Sequence, residues 1–368
     1  MRAYIGIDWG THSSKWCYQD SRGKCIVGPI WDSRVWRTDD FLSIYPMRRR
    51  YSGNRFEHGL KRKLIQDPDQ PFWDGQRPKL GTTLGEAVVF SLSALLLDAR
   101  RTLLERDLPL DALSPLTVRF SHPNWINPEA ITALQCFRDA AAVVTAVLGE
   151  QPEYDSREDS FQMPVRAVQE FVQNHKHLLP QLAPFPQRYD PRLFAACCSG
   201  AIGGVQWELV FESCAAGFSY LFEAEPDLFD PDQPELLGAP RGRKVLVVDI
   251  GAGSTDSGYM LRTIQHDPAT HTPTQPLLLW FPPASALEKA GTWLTDQILH
   301  EWLQQGRISS REEAEDYKTS GVTDWYDRPY VREWCHSISE HIGGYVAGIP
   351  ETRWLRFAPP LELIITGG

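Results

Sequence analysis

The sequence predicts an α/β protein built from two similar domains, and three observations support this fold class. The segment Tyr4-Ile-Gly-Ile-Asp8-Trp-Gly10 is a short apolar strand that ends on a carboxylate and enters a glycine turn. The segment Val245-Leu-Val-Val-Asp249-Ile-Gly251 repeats this pattern far along the chain. The chain has 368 residues, which is enough for two domains with cores of their own. A strand–turn–strand unit that occurs twice at this separation predicts two related domains that face each other across a cleft.

Both turns are rich in glycine and hydroxyl residues, and each is followed by a second strand. The two copies correspond at one constant offset: Asp8 with Asp249, Gly10 with Gly251, Ser13 with Ser254 and Tyr18 with Tyr259. Glycine lets the backbone approach a phosphate, and turn N–H groups can surround an anion. Carboxylates that bracket such a turn suit a hydrated Mg²⁺. The predicted phosphate loops are Asp8, Gly10, Thr11, His12, Ser13 and Lys15 in the first copy, and Asp249, Gly251, Gly253, Ser254, Thr255 and Asp256 in the second.

Other glycine-loop interpretations fit less well. A dinucleotide fingerprint needs glycine at position 256, where this chain has Asp, and a helix directly after it. A P-loop needs Gly-Lys-Ser or Gly-Lys-Thr, and the sequence contains no such run. Taken alone, the second copy could also be interpreted as an ordinary β-hairpin. The presence of the first copy favours the phosphate-loop interpretation.

Composition limits the class of protein. The formal net charge is −10, so general affinity for nucleic acid is not expected. The seven cysteines include the adjacent pair Cys197-Cys198 but no CxxC motif, which predicts neither a zinc site nor a disulfide framework. No apolar run approaches the roughly 18 residues of a membrane span. We therefore expect a cytoplasmic protein without a membrane span.

Several segments have clear helical or strand patterns. Leu84–Arg106 has apolar residues at helical spacing, and Leu116–Phe120 is predicted to be a strand. A helix is predicted from an Asn127 N-cap to about Leu148, and another over about Val165–Leu178.

The paired loops resemble those of the ATPase superfamily of actin, Hsp70 chaperones and sugar kinases. Further segments resemble the Hsp70 nucleotide-binding domain, in the same order along the chain. The resemblance implies a two-lobed actin-like ATPase fold, in which duplicated ribonuclease H-like domains surround a nucleotide cleft. It implies ATP and Mg²⁺ as cofactors, with Asp8 and Asp249 holding the metal through water.

Three first-lobe features are carried over from this resemblance. His12 stands where Hsp70 has a phosphate-binding Thr, so the chain departs from the Hsp70 pattern at a γ-phosphate contact. Leu60-Lys-Arg-Lys-Leu-Ile65 resembles Ala-Lys-Arg-Leu-Ile, whose Lys reaches the γ-phosphate; alignment places Arg62 there, and a slip of one residue places Lys61 or Lys63. Glu212 falls on the Glu of Asn-Glu-Pro-Thr-Ala-Ala-Ala, which helps to position Mg²⁺ and the attacking water. The resemblance therefore implies Asp8, Arg62 or Lys63, Glu212 and Asp256 as catalytic residues.

Three segments of the second lobe also resemble Hsp70, at a helix start and at adenosine contacts. Gly291 opens a helix that resembles the Gly-Gly-x-Asp-Phe-Asp start in Hsp70. Glu315 and Lys318 have the spacing of a Glu and Lys that contact adenosine, and a solvated helix face remains the alternative. The strand ending in Gly367-Gly368 resembles the adenosine motif, where the glycines let the backbone pass close to the base.

The resemblance also implies a domain layout. Lobe I is expected over residues 1–225, with an inserted subdomain at about 32–115 and an insertion at about 150–195. Lobe II is expected over 243–368 and to be incomplete at its C-terminus, because the family continues past the glycine pair. A protein client or partner is expected to bind through downstream sequence.

The expected function is an Hsp70-like ATPase that binds Mg-ATP between its lobes and drives switching of a chaperone-like or partner-binding module. An actin-like filament-forming ATPase shares the same loops and is the first alternative. A small-molecule kinase would need a catalytic Asp in a sugar-binding cleft, and no segment provides one convincingly. A nucleotide-binding pseudo-ATPase is also open, because His12 and the Arg62 position depart from the Hsp70 pattern.

Overall fold

The computed structural model describes most of the chain. The described residues are 3–20, 24–47, 56–57, 59–66, 71–108, 110, 115–150, 152–157, 160–217, 243–266, 273–280, 284, 286–320, 322–349 and 361–367. They fall into two compact units, Met1–Val210 and Phe211–Gly368. The boundary places Phe211–Gly217 in the second unit, whereas lobe I was expected to extend to residue 225.

Strands and helices occur in both units, so the α/β class predicted from the sequence is confirmed. The strands are β1 Ala3–Trp9, β2 Ser13–Asp20, β3 Cys25–Val27, β4 Trp31–Asp32, β5 Val35–Thr38, β6 Phe41–Ile44, β7 Phe56–Glu57, β8 Leu116–His122, β9 Asp155–Arg157, β10 Ser160–Pro164, β11 Ser199–Ile202, β12 Val205–Phe211, β13 Arg243–Ile250, β14 Thr255–His266, β15 Pro273–Trp280 and β16 Leu361–Thr366. The helices are α1 Leu60–Gln66, α2 Leu84–Glu105, α3 Ile131–Thr145, α4 Val165–His175, α5 Pro191–Cys197, α6 Gly291–Gln304, α7 Arg311–Thr319 and α8 Pro329–Gly348. Residues 212–217 are also helical.

The main sheet of the first unit has the strand order β11-β12-β8-β1-β2-β3, with β4 against β2. Strand β1 pairs antiparallel with β2 and parallel with β8. The side chains of β1 alternate between buried and half-buried, as expected for a strand with one face on the core. Helices α2 and α3 pack together beneath this sheet.

Helix α2 is the core helix of the first unit. It begins with a capping box, in which the Thr83 hydroxyl accepts from the Glu86 N–H and the Glu86 carboxylate accepts from the Thr83 N–H. Its Asp98 is fully buried. That carboxylate accepts from the indole N–H of Trp16 at 2.7 Å and of Trp31 at 3.2 Å, and from the Arg101 guanidinium at 2.8 Å. These bonds tie α2 to β2 and β4, and they compensate for burial of the charge.

Helix α3 and the 3-10 turn Ala146–Gly149 form an apolar rod. Among the residues that the structure describes, Ile131–Gly149 is the one helix whose length and composition would allow it to cross a membrane. Most of it is buried inside the first unit, a property shared by the core helices of soluble proteins. We interpret it as a core helix.

A second sheet in the first unit has the order β7-β5-β6-β10-β9. Strands β5, β6 and β7 come from the predicted inserted subdomain, and β9 and β10 come from the predicted 150–195 insertion. Strand β10 pairs antiparallel with β6, from Phe161 opposite Ile44 to Pro164 opposite Phe41. The two insertions therefore build one sheet.

The second unit repeats the central pattern of the first. Its sheet has the order β15-β14-β13-β16, with β13 antiparallel to β14 and parallel to β16. The hairpin registers are identical: Asp8 lies opposite Lys15 in the first copy, and Asp249 lies opposite Asp256 in the second. The predicted duplication is thus present in backbone pairing as well as in sequence.

The parallel strands correspond as well. Ser121 of β8 lies beside Asp8, and Thr366 of β16 lies beside Asp249. When β16 is aligned with β8 at these positions, Leu363 corresponds to Val118 and Ile365 corresponds to Phe120. Val118 and Phe120 are fully buried, whereas Leu363 is 57% and Ile365 66% exposed. In the first unit α3 contacts β8.

Candidate functional site

The first hairpin presents a carboxylate at the carboxyl end of β1. The Asp8 carboxylate accepts a hydrogen bond from the Ser121 hydroxyl at 3.1 Å and lies 3.4 Å from the Lys15 ammonium. The Asp8 side chain is 43% exposed, so water or a ligand can reach it. A half-exposed carboxylate at a strand end, fixed by a neutral donor, suits a metal ion held through water.

The turn after Asp8 needs glycine for a steric reason. A Cβ added to Gly10 would lie 2.1 Å from the Ser13 carbonyl oxygen, well inside van der Waals contact. The turn is anchored from outside by the Ser33 N–H, which donates to the His12 carbonyl at 3.0 Å. The His12 side chain is exposed, and Thr11 is half-buried.

The second hairpin has the same turn but a different pair of side chains beneath it. The Gly251 N–H donates to the Ser254 carbonyl at 2.9 Å, which closes the turn. Asp249 and Asp256 lie directly opposite each other on one face of the hairpin. The Ser254 hydroxyl donates to the Asp256 carboxylate at 2.7 Å, and Asp256 is almost fully buried. Opposed carboxylates favour a nearby cation because like charges at this spacing repel each other.

The start of α6 is bonded to this turn. The Gly291 N–H donates to the Gly251 carbonyl at 3.0 Å, and the Thr292 N–H donates to the Ala252 carbonyl at 2.7 Å. The predicted Gly291 therefore lies against the second loop. Thr255 is fully buried and its hydroxyl donates to the Lys289 carbonyl at 3.3 Å, so this predicted phosphate ligand supports the loop from within.

Glu315 and Lys318 of α7 reach the same place. Their side chains form an ion pair at 2.7 Å. The Lys318 ammonium also donates to the Gly291 carbonyl at 3.2 Å and to the Thr295 hydroxyl at 2.9 Å, and that hydroxyl donates to Glu315 at 2.7 Å. The pair thus ties α7 to the N-terminal turn of α6, which is itself bonded to the glycine loop.

Residues 212–217 lie beside the second hairpin. A Cβ on Gly258 would lie 2.8 Å from the Ser213 hydroxyl oxygen, so this helical turn packs directly on β14. Burial, with a smaller contribution from the Asp256 charge, raises the pKa of the Cys214 thiol to about 12. The predicted Glu212 therefore belongs to a segment that contacts the Asp256 strand.

The end of β16 approaches the same hairpin. Gly367 has a φ of 114°, and a Cβ there would lie 2.1 Å from the Ile250 carbonyl oxygen. Only glycine fits this approach. Gly368, the other predicted member of the pair, lies outside the described residues.

Three candidate cations follow one another on α1, in different surroundings. Lys63 is paired with the buried Glu57 carboxylate, and Arg62 is half-buried. Lys61 is buried, and its charge helps to lower the pKa of the neighbouring His122. That imidazole is fully buried, has a pKa of about 3 mainly because of burial, and follows Ser121 directly. Lys61, rather than Lys63, therefore lies near His122 of β8, the residue that follows Ser121.

Sequence reasoning missed Ser121 and ranked Lys61 below its neighbours. Ser121 could have been found as the hydroxyl residue at the end of the strand expected to run parallel to β1. Lys61 carries no sequence signal that separates it from Arg62 or Lys63, because its burial depends on the packing of α1 in the folded chain.

The donor sets fit a hydrated magnesium ion better than a fully protein-coordinated metal. Within the described ranges, no group of three or more His, Cys, Asp or Glu side chains could hold a metal ion by itself. Mg²⁺ usually keeps several waters and takes one or two carboxylates together with substrate phosphates. Asp8 in the first unit and Asp249 in the second are suited to that form of binding.

Neither the family models nor the curated proteins include a match to this chain. A solved structure described as an archaeal actin homologue is similar over 100% of this chain and 87% of its own, at 13% identity and a TM-score of 0.42. At that level nothing further follows from the likeness, and the duplicated hairpins of the chain itself carry the functional argument.

Proposed function

We propose that the chain is an Hsp70-like ATPase that binds Mg-ATP through its two glycine loops and hydrolyses it. The observation that supports this proposal most directly is a group of contacts in the second unit. Gly251, Gly291 and the Glu315–Lys318 pair, far apart in sequence, are joined by direct hydrogen bonds. Their convergence on one glycine loop supports a common ligand.

The loops would bind phosphate mainly with backbone groups. Turns that bring successive N–H groups toward one point attract anions, and close phosphate approach requires glycine. When bound, Mg²⁺ would neutralise charge on the phosphate oxygens, with Asp8 and Asp249 holding its water shell. The proposal requires both loops to act on the same nucleotide.

The remaining proposed site residues would contact the adenosine, orient the attacking water or stabilise the phosphoryl group. Glu315 and Lys318 would contact the adenosine from the side of α6. Glu212 and Asp256 would orient the attacking water, because their segments pack together beside the second loop. A cation of α1, either Arg62 or Lys61, would stabilise the charge of the transferring phosphoryl group.

Turnover of ATP by single variants tests the proposal. Asp8→Asn and Asp256→Asn keep side-chain volume and remove charge. Each should lower the rate of phosphate release by roughly 100-fold or more, the usual scale for positioned charges at a reacting centre. Asp327→Asn, an exposed position in the second unit, is the control and should leave turnover unchanged. Wild-type turnover in both loop variants would refute the assignment.

Binding without turnover is a second candidate, favoured by one observation. His12 takes the place of a phosphate-binding Thr in the first loop. If this candidate is correct, wild-type protein will bind Mg-ATP tightly but release no phosphate in a single-turnover assay.

The proposal also includes the conformational change that ATP hydrolysis would drive. Hydrolysis would drive conformational switching of a chaperone-like or partner-binding module, and the protein would act in the cytoplasm, where free thiols persist. All seven cysteines are free, which is compatible with that compartment. Sedimentation with ATP separates this output from an actin-like filament, because only the filament would pellet in a nucleotide-dependent way.

A further inference from the structure

Cys197 and Cys198 are adjacent in sequence, and their sulfur atoms are also in contact. The two Sγ atoms lie 3.8 Å apart, where α5 ends and the chain turns into β11. In a strand, successive side chains point to opposite faces, so extended backbone would separate them. Here the helix–strand junction brings both sulfurs to one side.

The two thiols are not equivalent. The two sulfurs share a hydrogen bond in which either thiol can donate, and this contact lowers the pKa of Cys197 and raises that of Cys198. The positive charge of Arg138, a buried residue of α3, also favours the Cys197 thiolate. Arg138 is held by Asp139, by the Ala183 carbonyl at 2.7 Å and by the ring of Phe185. One thiol is thus prepared as a nucleophile and the other as its neighbouring partner.

We propose that Cys197 and Cys198 form a reversible redox site that reacts with small two-electron oxidants of the hydrogen peroxide class. The Cys197 thiolate attacks one peroxide oxygen; an S–O bond forms, the O–O bond breaks, and the departing oxygen leaves as water after taking up a proton. The Cys198 sulfur then attacks the Cys197 sulfenic acid, an S–S bond forms, and a second water leaves. Two thiols are oxidised, and one peroxide is reduced to two waters.

Geometry makes this disulfide easy to reduce. Cα atoms of adjacent residues lie about 3.8 Å apart, whereas disulfides prefer a separation of about 4.4–6.8 Å. Closing the bond therefore strains the backbone, and strained disulfides have more oxidising potentials. Burial is also relevant: Cys197 is 3% and Cys198 8% exposed, so the oxidant must be small.

Oxidation has a local structural consequence. The Leu209 N–H of β12 donates to the Cys198 carbonyl at 2.9 Å. Strain in the Cys197–Cys198 peptide will displace that carbonyl and weaken the bond. Hydrogen exchange of the Leu209 amide should therefore become faster in the oxidised protein.

The experiment treats the full chain with hydrogen peroxide, blocks remaining thiols and maps the chymotryptic peptide Ala195–Trp207, which contains these two cysteines and no other. We expect its mass to fall by two hydrogen atoms, resistance to thiol blocking, and full recovery with a mild dithiol reductant. A peptide that is still blocked at both cysteines, or that carries irreversible sulfinic acid, would overturn the proposal. This measurement on the wild type needs no variant that could fail to fold.

Variants test the assigned roles. Cys198→Ser should leave a Cys197 sulfenic acid that a dimedone probe labels, whereas Cys197→Ser should reduce oxidation at this site by roughly tenfold or more because its thiolate is lost. Cys335→Ser removes an exposed cysteine elsewhere and should leave disulfide formation unchanged. Equal labelling of the two single variants would contradict a Cys197 nucleophile, and with it the proposed sequence of steps.

Discussion

Adding a single methyl group to the first glycine turn should disrupt it strongly. In Gly10→Ala, the new Cβ would start 2.1 Å from the Ser13 carbonyl oxygen. Ordinary carbon–oxygen contact needs more than 3 Å, so the turn must open by about 1 Å. We expect a loss of about 1–3 kcal/mol of stability, as for other forced overpacking. Because a 1 Å displacement at a reacting centre costs up to about 100-fold, ATP turnover should fall by one to two orders of magnitude.

The chain offers a graded series of alanine substitutions for this test. In Gly251→Ala the added Cβ would lie 3.1 Å from the Ser254 carbonyl, so a shift of a few tenths of an ångström suffices and the effect should be small. In Gly149→Ala the Cβ would meet no atom within 4 Å, and neither stability nor turnover should fall. Urea unfolding measures stability, and a coupled phosphate-release assay measures turnover.

The order of effects is the decisive result. The account predicts that Gly10→Ala is the most damaging, Gly251→Ala intermediate and Gly149→Ala neutral. If Gly10→Ala matches Gly149→Ala in both assays, the close approach between Gly10 and Ser13 is not needed for stability or turnover, and the steric explanation of this glycine is wrong.

Three further predictions concern ionisable side chains inside the two units. Asp98→Ala should cost about 3–5 kcal/mol in urea unfolding, because it leaves two indole N–H groups without their acceptor and removes the buried partner of the Arg101 guanidinium. His122 has a folded pKa of about 3 against an ordinary value of 6.5, so the unfolded chain binds more protons between these values; its stabilising effect is complete above pH 6.5 and is lost as the pH falls towards 3. His122→Gln should therefore reduce the slope of stability against pH in that window by up to about 1.4 kcal/mol per pH unit, measured by urea unfolding at several pH values. Lys318→Met should weaken Mg-ATP binding by roughly tenfold or more in calorimetry, because it removes one donor to the Gly291 carbonyl and the cation paired with Glu315.

Matched controls separate these effects from general destabilisation. Glu105→Ala removes an exposed carboxylate from the same helix as Asp98 and should change stability by less than about 0.5 kcal/mol. Lys289→Met removes another paired lysine of the second unit and should leave nucleotide affinity intact. An Asp98→Ala variant as stable as Glu105→Ala would contradict the role of the buried carboxylate. An unchanged pH slope in His122→Gln would contradict a buried neutral imidazole.

The duplicated core could be predicted from sequence because the relevant signals are local. An apolar run, a carboxylate and a glycine turn specify a strand and its hairpin, and their repetition specifies the second copy. The identical register of Asp8 opposite Lys15 and Asp249 opposite Asp256 follows from turns of equal length. Helix α2 was also predicted closely, because its apolar period is long and regular.

Features that depend on distant pairing were not predicted. Strands β9 and β10 lie in the insertion predicted at about 150–195, and no local pattern indicates them because their partner β6 lies more than a hundred residues earlier. Helix α3 begins at Ile131, and the Asn127 side chain accepts from the Ala130 N–H in a preceding turn. The expected N-cap therefore supports that turn, and helix α3 itself has no side-chain cap.

In the candidate site, too, local features could be predicted from the sequence and features that depend on distant packing could not. The spacing of Glu315 and Lys318 predicted a shared helix face, and the ion pair is present. Their attachment to Gly291 depends on the packing of two helices and could come only from the structure. The choice among the three cations of α1 likewise depends on burial of Lys61, which no local pattern encodes.

The most direct test of the central claim is the stoichiometry of Mg-ATP binding, measured by calorimetry on the wild type and on one variant of each loop. The account predicts one nucleotide per chain, and loss of that binding in either Asp8→Asn or Asp256→Asn. No binding by the folded wild type, or binding that survives in both variants, would contradict a nucleotide site built from the two glycine loops.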